Sequence, residues 1–152
     1  MNKDAVEKLL WSIALPGLGQ LLNGRYIKGI IFILLEFFVN VLSRFNEVII
    51  YSFHGNIKEA ILQANYQWLM FYPCLYFFAM WDAYRDARND ESPFLFLPFV
   101  FAAYSVTVGL IYSTKIKIFG ALIGPVFLPM LFTIPGLLVG IIIRKVLIRT
   151  IK

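Results

Sequence analysis

Two stretches of the chain, residues 94–113 and 118–143, contain no charged side chain over 20 and 26 residues. A helix needs roughly 20 residues to cross a hydrocarbon core, because each residue advances it by only about 1.5 Å. Inside a bilayer every backbone N–H and C=O must be bonded within the protein, which leaves helices and closed barrels. Apolar runs this long, without the alternation of a barrel strand, read as helices. The rest of the 152 residues agrees, with 60% apolar and 15% charged, where an ordinary soluble domain has about 25% charged. That excludes a disordered chain, a disulfide scaffold and a soluble enzyme. The expected fold class is all-α. It is a polytopic integral membrane protein with about four transmembrane helices and an N-terminal re-entrant or interfacial helical hairpin.

The segments follow from charges and breakers. Residues 1–25 form the hairpin, because Pro16 and Gly17 interrupt an uncharged stretch too short for a straight span. No small-residue cleavage site follows it, so it is expected to stay in the mature protein. Spans are expected at 26–43, 66–84, 94–113 and 120–143, with Pro125, Pro129 and Pro135 arguing for kinks or a late start in the last. The polar stretch 46–65 reads as an extracytoplasmic loop. Ile57, Ile61 and Leu62 within it suggest a short amphipathic helix. All of this makes one membrane domain.

Charge sets the orientation. Four spans after a hairpin put ten basic residues on the side of both termini: Lys3, Lys8, Arg25, Lys28, Arg85, Arg88, Arg144, Lys145, Arg149 and Lys152. Only Arg44, Lys58, Lys115 and Lys117 fall on the other. By the positive-inside rule both termini are expected in the cytoplasm of a cell, inner or plasma, membrane. The formal charge of +5 is spread along the chain, so no basic face for nucleic acid is formed.

Pro16, Gly17, Gly19, Gly24 and Gly29 make the richest local pattern, and their expected role is a tight turn with close helix packing. No strand precedes them and the third glycine of a dinucleotide fingerprint is replaced by Leu22. With Gln20, Arg25 and Tyr26, and with the later Trp81, Asp82, Ala83 and Tyr84, the stretch resembles the two-transmembrane-helix domain family. Leu21-Leu22 stands where that family has an aromatic pair, its His-Arg is missing, and 46–65 is a long insertion. The resemblance implies an integral membrane protein and no particular activity.

Glu36 is the one carboxylate well inside a span, with Asn40 one turn later on the same face. An ionisable residue at that depth is a candidate site, facing other helices or water. Asp82 and Arg85, three apart, are expected to pair at a cytoplasmic helix end. Gly120 with Gly124, and Gly136 with Gly140, have the spacing of helix-contact faces. His54 is the only histidine and Cys74 the only cysteine. A Ser–His or Cys–His pair cannot form within a span, and neither catalytic residues, cofactor nor metal site is expected. Cys74, inside an apolar run, is expected to act as a small buried hydrophobe. The expected function is a non-catalytic membrane subunit or scaffold. Its partners are the lipid bilayer and another membrane protein, or a second copy. The alternative is a small transporter or channel component lined by Glu36 and Asn40.

Overall fold

The structure, a computed structural model, describes residues 3–88 and 92–151. It is mostly helical, at 77%. In chain order it runs α1 (Lys3–Ala14), α2 (Leu18–Leu22), α3 (Tyr26–Ser43), α4 (Phe45–Phe53), α5 (Ile57–Gln63), α6 (Tyr66–Leu69), α7 (Tyr72–Asp86) and α8 (Leu97–Tyr112). A two-stranded hairpin, β1 (Lys117–Ile118) and β2 (Ala121–Leu122), then leads into α9 (Gly124–Thr150). Two helices, α3 and α9, are long and apolar enough to cross a membrane, with mean hydropathies of 1.8 and 2.5. Only 17% and 28% of those apolar stretches are buried, whereas the core helix of a soluble protein hides most of its apolar surface. Both features favour membrane association.

α7 organises one end of the molecule. α1 lies along it, α3 packs on it, and short α2 touches α1, α3 and α7. The turn between α1 and α2 needs Gly17, whose φ of 106° is left-handed and whose missing side chain leaves room for the Gly29 carbonyl and Ile33. Gly19 is equally enclosed, by Lys8, Ser12 and Ala83, and Gly29 by Leu21. Gly24 has open space around it, so it serves the α2–α3 turn alone. Pro16 is fully buried at the tip.

α8 and α9 form the most extensive helix pair. Gly136 approaches the Phe101 carbonyl and Ala102, and Gly140 approaches Pro98 and the Leu97 carbonyl. A Cβ at Gly140 would sit 2.5 Å from the Pro98 Cα, so the close approach requires glycine. The other small-residue pair behaves differently. Gly120 lies in the β-hairpin turn, where Phe119 and Gly120 both have positive φ, 50° and 83°, as a tight two-residue turn demands. Gly124 is the first residue of α9 and faces Ile57 of α5. Gly120 and Gly124 therefore do not share a helix face.

Three stretches differ from the sequence reading for local reasons. Residues 66–84 split into α6 and α7, because Pro73 has no N–H to continue the α6 ladder and starts α7 instead. Residues 46–65 are covered by two helices, α4 and α5, separated by His54 to Asn56, and Val48 and Ala60 pack with Val126 of α9 in a small core. The last apolar run opens with the hairpin, and Pro125 then falls in the first turn of α9, where its missing N–H is harmless. Cys74 points outward from α7 and is exposed, against the buried role expected for it.

Candidate functional site

The glycine-rich stretch and the Trp81–Tyr84 segment, about sixty residues apart in sequence, meet in space. Gly17 aims α2 back along α7, which puts Gln20 against the α7 backbone with its side chain fully buried. Its amide nitrogen donates to the Ala79 carbonyl at 2.8 Å and to the Asp82 carboxylate at 3.1 Å. One turn on, the Asn23 amide donates to the Ala83 carbonyl at 2.8 Å. The start of α3 then supplies Lys28, whose ammonium lies 2.9 Å from Asp82 and 3.3 Å from Asp86. Arg85 reaches the same two carboxylates, at 3.3 and 3.1 Å, and Arg25 stands 3.5 Å from Asp86.

The electrostatics are lopsided. The Asp82 side chain is 5% exposed, while Lys28 and Arg85 are 44% and 47% exposed. The carboxylate is the buried partner and the cations reach it from the rim. Asp86 is less enclosed. Burial pushes its carboxyl upward, but hydrogen bonds from Arg85 and Lys28 and their positive charge outweigh that and hold it below the usual value. Arg85 also lies over the Trp81 ring, 4.5 Å from its centroid, which seats the guanidinium between the ring and the carboxylates.

Asp82 and Arg85 do pair, but as two members of a cluster that also takes in Gln20, Asn23, Arg25, Lys28 and Asp86. Sequence reasoning missed Gln20, Asn23 and Lys28. A glutamine inside an apolar run was the available signal, since buried amides must find partners. Among the described residues no group of three His, Cys, Asp or Glu converges as a metal site. Asp90 and Glu91, the next carboxylates in sequence, lie outside the described residues.

Glu36 and Asn40 are placed elsewhere, further along α3 and beside Tyr72. The Tyr72 hydroxyl donates to Glu36 at 2.9 Å. Tyr76 stacks on Tyr72 at 5.5 Å and donates its hydroxyl to the Ile13 carbonyl at the end of α1. Phe45 covers Tyr72 from the other side at 4.7 Å.

No family model, curated protein or solved structure matches the chain.

The cluster predicts an acid limb in stability. A carboxyl held below its ordinary value, near 3.8, contributes stability that is complete above that value and lost as pH falls through the lowered one. Purified protein should therefore keep its unfolding midpoint down to about pH 4 and lose it below. In Asp86→Asn the midpoint should be lower at pH 7 and flatter across that window. An unchanged acid limb in the variant would remove Asp86 from the account.

Proposed function

We propose that the chain is a four-span integral membrane protein with both termini in the cytoplasm. It acts there as a small non-catalytic subunit or scaffold that binds another membrane protein through helix faces. The observation that carries this reading is the outer face of α3. It lies at the edge of the bundle and leaves Ile27, Ile30, Leu34, Phe38 and Val41 exposed, Ile27 by 78%. The span assignment is supported by length. α6 and α7 together run from residue 66 to 86, enough for a tilted crossing at about 1.5 Å per residue. α8 is preceded by apolar Phe94, Leu95 and Phe96. The ten-to-four split of basic residues supports the orientation.

A solute path past Glu36 and Asn40 has less behind it. Two open grooves, of about 440 and 430 Å³, lie beside the β-hairpin, lined by Ile57, Leu122 and Phe127 and by Asn56, Lys117 and Gly120. Glu36 lines neither.

Two measurements check the reading. With Cys74 replaced, single cysteines at Ser92 and Thr150 are expected to be shielded from an impermeant thiol reagent in intact cells, and one at Asn56 to label. Labelling of Thr150 from outside overturns the orientation. A photoreactive residue at Leu34 or Phe38 is expected to yield one discrete protein adduct, whereas one at Leu128, 1% exposed, yields none. Adducts with lipid alone, together with proton- or cation-dependent flux in vesicles, would favour the transporter.

A further inference from the structure

Glu36 is the eleventh of the 18 residues of α3, so in the membrane reading it lies near mid-depth. The hairpin that shields one end of α3 stops short of it. Gly17 at the hairpin tip meets the Gly29 carbonyl and Ile33, which leaves the tip about one helical turn, roughly 5 Å, from Glu36. Phe45 packs against the Tyr72 ring, tilted, at 4.7 Å between centroids. Between tip and ring the Glu36 side chain is only half-buried. The result is a polar notch open to the side of the bundle.

The notch is built to hold a carboxylate and is incomplete. Tyr72 donates to Oε1 at 2.9 Å, and Asn40 lies one turn further along α3. Among the described residues, no second donor reaches Glu36 and no cation pairs with it. A carboxyl group with an oxygen left unmet is costly at mid-membrane depth. The spans offer no cation of their own, with no Lys or Arg between residues 29 and 43, 66 and 84, 94 and 113 or 118 and 143. Lys8, midway along α1, is held by Asp4. A second copy in the same orientation brings none to this depth either.

We infer that the Glu36 notch, with Tyr72 and Asn40, receives a Lys or Arg carried at mid-membrane depth by a transmembrane helix of a different protein. The inference rests on the partner-binding reading and names the partner's chemistry. The arriving cation completes the carboxylate's shell, and the apolar face of α3 around it supplies the helix-on-helix surface. A neutral apolar helix gains the surface but leaves the carboxylate unmet, so charge at one position sets the choice of partner.

The test uses the whole protein in vesicles with a synthetic leucine-rich transmembrane helix as probe, carrying either one central Lys or a central Leu. Binding is read by energy transfer from a dye on Thr150→Cys in the Cys74→Ser background. The Lys probe is expected to bind about ten-fold more tightly than the Leu probe. That preference should vanish in Glu36→Gln, weaken in Tyr72→Phe and survive in Glu36→Asp, with helix content unchanged in each. It should also survive in Glu47→Gln, since Glu47 is an exposed carboxylate already paired with Arg44. Equal binding of the two probes, no binding of the Lys probe, or a preference that persists in Glu36→Gln overturns the inference. Equal binding leaves the scaffold reading standing, whereas that reading fails separately if Leu34 and Phe38 give no protein adduct.

Discussion

A single carboxylate, Asp82, holds three elements of this chain in register. It sits 5% exposed near the end of α7 and accepts from Gln20 of α2, Lys28 of α3 and Arg85 of its own helix. Taking a charge out of water is expensive unless its oxygens are met. The hairpin and α3 therefore cannot leave α7 independently. Each supplies a donor that the other cannot replace.

From that anchor the rest of the bundle follows by height along α3. The ionic cluster fixes where α2 and α3 begin, the α1–α2 turn then fixes how far the hairpin reaches, and Tyr76 ties the end of α1 to α7. Above the tip the chemistry changes. Tyr72 donates to Glu36 and packs against Phe45 where the hairpin no longer covers α3. At the far side of α7 the packing is by shape. Gly136 and Gly140 bring the α8 and α9 backbones together by leaving no side chain between them. Charge governs one end of the molecule and close packing the other.

Much of this arrangement was legible because it depends on strong local signals. The bounds of α3 coincide with Arg25 and Arg44, the charges that flank its apolar run, and the turn at Pro16-Gly17 needs the two residue types found there. The split between α6 and α7 was missed because an apolar run hides a helix start, although Pro73 marks it. The β-hairpin was missed because Phe119-Gly120 is a weak turn signal inside a long apolar stretch. Counting four residues from Gly120 to Gly124 gave a helix face that the backbone does not form. The partners of Asp82 were invisible for another reason. Hydrogen bonds across some sixty residues leave no periodicity, so Gln20, Asn23 and Lys28 carried no pattern tying them to α7.

The coupling between Gln20 and Asp82 is what ties the hairpin to α7. Both are buried, and the amide-to-carboxylate bond at 3.1 Å joins the hairpin to α7. A double-mutant cycle with Gln20→Ala, Asp82→Ala and the double variant, read from unfolding free energies of the purified protein, isolates that bond. The expected coupling is about 1.5–3 kcal/mol, the range for a hydrogen bond to a charged group. Additive effects of the two substitutions, with no coupling beyond about 0.5 kcal/mol, would show that the hairpin is held to α7 by something other than this carboxylate.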